Sequence, residues 1–144
     1  MWQPSSSRPT LALAHAFASI DGPFGGHRHV EPPAPVVRTW RGATRAEDSE
    51  PYARYLVETG LTAYRNTPGN IGVLGLRRLR DGIAEFLLVT LWESEAAVQR
   101  FSGPEMDKAV FYPEDDRFLV ERDAHVDHFE VFHRSGVVAQ AGTR

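Results

Sequence analysis

The chain has no cysteine in its 144 residues. Disulfides, thiolate nucleophiles and cysteine-ligated metals are therefore excluded outright. Lysine is almost as scarce: Lys108 stands alone among 16 basic residues, so the basic surface is nearly all guanidinium. That bias suits anion recognition, but an arginine-rich coding bias accounts for it equally, because an arginine excess carries no site geometry. An excess of one charge is missing too. A net charge of −3 gives no general attraction to nucleic acid or to an anionic membrane. No stretch approaches the roughly 20 apolar residues of a membrane-spanning helix. The one targeting candidate, Leu11–Ile20 behind Arg8, is short and broken by His15, so the cytoplasm is the expected compartment. No Ser/His/Asp grouping, phosphate-cradling loop or dinucleotide fingerprint is present.

What remains is one domain's worth of chain with an ordinary apolar share of 42%. Residues 1–35 are rich in Pro, Gly and Ser and read as a flexible extension; residues 36–133 read as the folded domain and 134–144 as a tail. His27 and His29 are spaced to share one side of an extended chain, but no third metal ligand is near them.

The domain is organised around Phe86–Trp92, apolar at nearly every position, which reads as a strand buried on both faces. Ser94 is placed to cap a short helix carrying Ala97, Val98 and Phe101, and Pro104 to open a second turn with Met106, Ala109, Val110 and Phe111. Upstream, Val36–Arg41 alternates as the first strand, with Arg38 and Trp40 on one face and Val37, Thr39 and Arg41 on the other; Gly42–Arg45 is expected to turn the chain. Tyr52, Tyr55, Leu56, Thr59 and Ala63 follow helical spacing, with Gly60 as an interruption. A strand over residues 71–80 then meets Phe86–Trp92 through Asp81-Gly82, a hairpin signal. Val126–Phe132 is the last strand, with His128 and Glu130 on one face. The order βαββαβ predicts an α+β, ferredoxin-like sandwich: helices on one face of an antiparallel sheet. A doubly apolar strand needs a second cover, and a second copy of the sheet supplies it, giving a homodimer.

Several groups of residues carry possible chemistry. Glu114-Asp115-Asp116 is an acidic triple of the kind that holds a hard cation, but adjacent turn carboxylates more commonly cap a helix or pair with Arg117 and Arg122. His125, His128 and His133 alternate between faces of one extended strand and do not converge, so no metal site is assigned. His128 alone is a candidate proton carrier near neutral pH, against the alternative of a hydrogen-bonded core histidine. Tyr112 and Tyr64 are candidates to orient a phenolic substrate or donate to an oxyanion. Trp40, Trp92, Phe101 and Phe111 are candidates to wall a flat aromatic pocket, and core packing explains each of them equally well.

The stretches VVRTWRG, ETGLTAYRNTPGN, EFLLVTLWES, AVFYPEDDRFLVE and HFEVF together resemble the antibiotic biosynthesis monooxygenase-like (ABM) family of dimeric α+β barrels. The resemblance spans roughly residues 36–132, and the strand ending in LWES followed by a short helix is its most specific part. It implies a homodimer with a pocket between sheet and helices, and a cofactor-independent monooxygenase acting on a small phenol-, quinol- or anthrone-like aromatic. In that reading His128 is the base, Tyr112 or Arg38 steadies the anion, and Trp40, Tyr64, Trp92, Phe101 and Phe111 hold the ring. The haem-degrading branch uses an Asn in the first strand, a Trp in the second helix and a His at the end of that helical region. Spacing from Trp92 puts these near Thr39, Phe101 and Phe111, none of which has the required side chain, so haem is not expected. The competing class is a non-catalytic binding or dimerisation module on the same scaffold, marked by a pocket filled by side chains with no buried polar group.

Overall fold

The computed structural model describes residues 34–136. The targeting candidate, the His27/His29 pair and nearly all of the expected extension lie outside them, as do residues 137–144.

Strand β1 (Val36–Arg45) is longer than expected: the chain does not turn at Gly42 but continues in the sheet for four more residues. The reason lies across the ladder. All ten residues of β1 pair antiparallel with β3 (Ile83–Trp92), from Val36 opposite Trp92 to Arg45 opposite Ile83. Gly42 is tolerated there because the Trp40 indole folds over it; a Cβ at Gly42 would meet the ring at 2.3 Å.

After a 3-10 turn at Ala46–Asp48, helix α1 (Ser49–Leu56) buries Tyr52 and Leu56. A wide π-type turn over Val57–Leu61 follows, and then helix α2 (Thr62–Asn66). Gly60 sits inside that turn, so the interruption read from the sequence is a local widening and not a break. The widening rotates the last part of the helical arm, and Tyr64 takes the buried position where the stripe had placed Ala63. The turn Thr67–Gly69 packs close against the next helix: a Cβ on Gly69, which has φ 94°, would lie 2.4 Å from that of Ala97.

Strand β2 (Asn70–Arg80) and β3 form the predicted hairpin, with Asp81 and Gly82 both at positive φ as a tight two-residue turn requires. Helix α3 (Glu95–Ser102) is capped by Ser94, whose Oγ accepts from the Ala97 amide at 3.2 Å. The second helical turn expected after Pro104 does not form. Residues 103–114 run irregularly, and Lys108 bridges to His125 instead. Helix α4 (Asp115–Phe118) leads into β4 (Leu119–Arg122), and β5 (Asp127–Glu130) replaces the longer final strand that was expected. Both β4 and β5 pair with β1 on its free edge, as two halves of one interrupted lane.

The sheet order is thus β2-β3-β1-(β4, β5), the ferredoxin-like arrangement, and the sheet is open within one chain. Helices cover one face only. On that face Trp40, Phe86, Leu88 and Trp92 pack against Tyr52, Leu56, Tyr64 and Val98. The other face carries Leu74 opposite Val89, Leu76 opposite Leu87, and Val37 opposite both Leu91 and Phe129. β3 is therefore apolar on both faces, as read from the sequence, but in one chain the even-numbered side chains are covered throughout, whereas of the odd-numbered ones only Leu91 is buried. Among the described residues no helix is long and apolar enough to cross a membrane.

Candidate functional site

A cleft opens on the covered face. Arg38, Trp40 and Leu88 from the sheet form its floor, and Tyr52, Leu56, Gly60 and Tyr64 from the helical arm form one wall. Val110, Phe111, Tyr112 and Asp115 close the other side. The free volume inside is about 20 Å³. That is room for a water, which needs about 10–15 Å³, and not for an aromatic ring.

Arg38 is the unusual residue. Alternation along β1 points it at the helices, where apolar residues belong, and it is only 2% exposed. Its Nη2 donates to the Lys108 carbonyl at 2.9 Å and, more weakly, to that of Met106 at 3.5 Å. The Phe101 ring lies 5.6 Å from the guanidinium carbon, and the Tyr64 hydroxyl is beside it. Among the described residues no carboxylate makes an ion pair with it. Burial lowers the guanidinium pKa, with Tyr64 and Asp107 opposing that shift. A buried cation neutralised only by dipoles and a ring face is costly, and a negative ligand would relieve that cost.

His128 is the cross-strand partner of Arg38 and so projects from the same sheet face. Its Nδ1 is 3.5 Å from the Asp107 carboxylate. Burial first, and Arg38 second, depress the imidazole pKa below its usual value, with Asp107 opposing. The ring is therefore neutral at pH 7. Among the described residues the Nε2 atom of His128 and the Nε atom of Arg38 are both buried without a hydrogen-bond partner. With Nδ1–H turned to Asp107, Nε2 presents a lone pair, while Arg38 Nε presents a proton. His128 is not among the cleft-lining residues; it stands beside Arg38 across the β1–β5 ladder.

Tyr112 and Phe111 sit on the irregular side of the cleft. Burial raises the pKa of Tyr112, with Asp115 and Tyr55 adding to it. Tyr64 is likewise raised by burial, with Arg38 pulling the other way. Of the eight residues singled out from the sequence, Arg38, Trp40, Tyr64, Phe111 and Tyr112 line the cleft together. Phe101 and Trp92 stand in a second layer: Phe101 stacks 4.5 Å from Tyr64, and Trp92 is fully buried with Nε1 donating to Thr90 Oγ1 at 2.7 Å. Trp92 is a core residue.

Six cleft residues were not anticipated as such, and three of them, Asp115, Tyr52 and Gly60, shape its chemistry and its walls. Asp115 was read only as a member of an acidic triple, yet it is buried: it accepts from the Tyr52 hydroxyl at 3.1 Å and from the Tyr112 amide at 2.6 Å. Glu114 and Asp116 face outward and pair with Arg117 and Arg122, the pairing expected for turn carboxylates. Tyr52 was read as helical core; burial and Asp115 raise its pKa strongly. Gly60 was read as a break, and it lies against the Tyr112 ring, whose nearest atom is 3.5 Å from where a Cβ would be, an ordinary contact distance. Among the described residues no three His, Asp or Glu side chains gather as metal ligands would. Thr39, aligned by spacing with the haem branch's Asn, turns out to lie opposite Val89 and Asp127 on the sheet face away from the cleft.

No protein-family model and no curated protein matches this sequence. Solved structures do match. A presumed antibiotic biosynthesis monooxygenase from Bacillus cereus is 16% identical with a TM-score of 0.53, over 72% of this chain and 99% of that one. The haem degrader MhuD from Mycobacterium tuberculosis is 23% identical with a TM-score of 0.46, over 70% and 99%. SnoaB, a cofactor-independent oxygenase from Streptomyces nogalater, is 16% identical with a TM-score of 0.42, over 72% and 97%. Identities this low speak to fold and leave chemistry to the site. The described domain thus has the ferredoxin-like α+β fold seen in the Bacillus cereus structure, the fold that the residue-level resemblance implies.

Proposed function

We propose that the cleft is the site of a cofactor-independent monooxygenase that acts on a small phenol-, quinol- or anthrone-like aromatic. The observation that carries this reading is Arg38: a buried guanidinium, without a carboxylate partner among the described residues, at the floor of an aromatic cleft. Such a group stabilises an anion that forms during reaction, and does so most strongly where water is excluded. The unpartnered atoms of Arg38 and its cross-strand neighbour His128 suit a hydroxyl that accepts from one and donates to the other. His128 takes the hydroxyl proton, and Arg38 with Tyr64 or Tyr112 holds the resulting oxyanion. The electron-rich anion reduces O₂ and the two join as a hydroperoxide at a ring carbon bearing hydrogen. Protonated His128 returns its proton to the peroxide, and loss of water then leaves a quinone carbonyl: one oxygen atom stays in the product, the other leaves as water, and the substrate supplies all four electrons that reduce O₂. Trp40 and, from behind, Phe101 hold the ring.

The same reading includes a homodimer. Leu74, Leu76 and Phe129 stay 44–56% exposed on the uncovered sheet face, next to Leu87, Val89 and Val37. A continuous apolar face of this kind is unusual on a free monomer, and a second copy of it is a self-complementary cover.

The test is oxygen uptake by the purified protein with hydroquinones and anthrones, no metal or flavin being added. Uptake that falls at least about 100-fold in His128→Ala, with the fold intact by circular dichroism, supports the assignment. Undiminished uptake in that variant removes His128 from the mechanism. A second reading, a binding module without turnover, is favoured by the small free volume of the cleft. It predicts ligand binding with no oxygen uptake.

A further inference from the structure

Phe111 occupies an unusual position for a cleft wall. It lies on the irregular stretch 103–114, in neither helix nor strand, and is 38% exposed. Its ring nevertheless sits in a made slot. Trp40 meets it edge-on, with centroids 6.3 Å apart, and the Arg122 guanidinium stacks over it at 4.9 Å. Arg122 is itself fixed by Asp116 at 2.5 Å, and the Trp40 indole by a 2.9 Å bond from Nε1 to the Asp123 carbonyl. The two sides of the slot are thus held independently of Phe111.

What holds Phe111 is much weaker. Upstream, Ala109 is tied to Ala124 through its amide and Lys108 to Arg38 through its carbonyl. Downstream, Tyr112 is anchored by its amide to Asp115 and packs its ring against Gly60. Val110 and Phe111 lie between these anchors, both more than a third exposed, and among the described residues neither makes a backbone hydrogen bond. The cleft also has no room for a ring while they stay where they are.

We propose that Phe111 is a displaceable plug in an aromatic subsite formed by Trp40 and Arg122, and that the ring of an electron-rich aromatic ligand takes its place. The ring then meets an indole on one side and a cation on the other, a pairing that favours π-rich over saturated rings. Loss of about half the cation–π attraction of a well-placed Arg is felt as a several-fold change in affinity. This rests on the reading of the cleft as a site for aromatic substrates, but it concerns binding and stands or falls without turnover.

The experiment titrates 1-naphthol, and cyclohexanol as the saturated control, into the full-length wild type, Phe111→Ala and Arg122→Met, following tryptophan fluorescence and calorimetric heats. Phe111→Ala empties the slot and should tighten 1-naphthol binding about tenfold while leaving cyclohexanol nearly unchanged. Arg122→Met keeps an apolar stem without the cation and should weaken 1-naphthol about threefold to tenfold. Weaker or unchanged 1-naphthol binding in Phe111→Ala would show that Phe111 is a wall that touches the ligand, and would overturn the proposal. Equal gains for both ligands would overturn the aromatic subsite as well. Should the alanine variant fold poorly, Phe111→Leu and hydrogen exchange of amides 110–113 in wild type give the same decision: ligand must raise their exchange if the plug moves, and lower it if it does not. Oxygen uptake enters none of these readouts, so a failed oxygenase assay leaves the test valid.

Discussion

The two faces of the sheet are built from similar side chains and have different fates. On one, Trp40, Phe86, Leu88 and Trp92 vanish beneath the chain's own helices; on the other, Leu74, Leu76 and Phe129 remain open beside Leu87 and Val89. The difference is which face the two βα connections return to. Apolarity alone does not say what buries a residue, and the polar residues reveal which face is specialised. Arg38 and Thr90 are on the covered face, each almost wholly buried, where an apolar side chain would serve the core better. Thr90 has a structural use, bridging the Trp92 indole and the Arg38 carbonyl. Arg38 has none that needs a cation.

The contrast can be broken most severely from the covered side. Trp92→Ala should cost about 3–5 kcal/mol of stability, read from chemical denaturation, because it opens a cavity in the fully packed centre. A loss below about 1 kcal/mol would mean the covered face is looser than described. Breaking the open side should do something different. Leu74→Glu with Leu76→Glu should leave the helix-face core intact and raise the dimer dissociation constant at least about 100-fold, close to 2.7 kcal/mol, by analytical ultracentrifugation. A wild type that sediments as a monomer at micromolar concentration would contradict the homodimer directly.

Within the cleft, Tyr52→Phe removes the hydroxyl that donates to Asp115. It should cost about 1.5–3 kcal/mol, since the acceptor is a buried carboxylate. The smallest expected effect is a pH dependence. The folded state holds His128 neutral, so its pKa lies below that of the unfolded chain. The unfolded state then binds more protons in the window between the two values, and stability rises with pH there. It is complete above the unfolded imidazole value of about 6.5 and declines as pH falls toward the lower folded value. His128→Gln should flatten that slope, and turnover should fall over the same acidic range. An unchanged slope would show that the imidazole is more solvated than its burial implies.

Much of this was legible in the residues. The Asp81-Gly82 hairpin, the Ser94 cap and the alternation of β1 each follow from local chemistry, and together they set the sheet order and the face on which Arg38 and His128 lie. Other features depend on partners distant in sequence. Gly42–Arg45 looks like a turn until β3 is seen to run its full length beside it. The stretch after Pro104 looks helical until Arg38 and Ala124 claim its backbone groups. Asp115 hides in YPEDD because nothing in that string distinguishes the one carboxylate that meets Tyr52, 63 residues away, from its two solvated neighbours.

Arg38, buried at the cleft floor, is proposed to stabilise a phenolate. The direct measurement is the absorbance of 4-nitrophenol, whose ionised form absorbs at longer wavelength, bound to wild type and to Arg38→Met across a pH series. Wild type should shift the ionisation of the bound phenol to lower pH, and Arg38→Met should abolish the shift while the protein stays folded. Bound phenol that ionises at its free value in wild type, or an equal shift in both proteins, would contradict it.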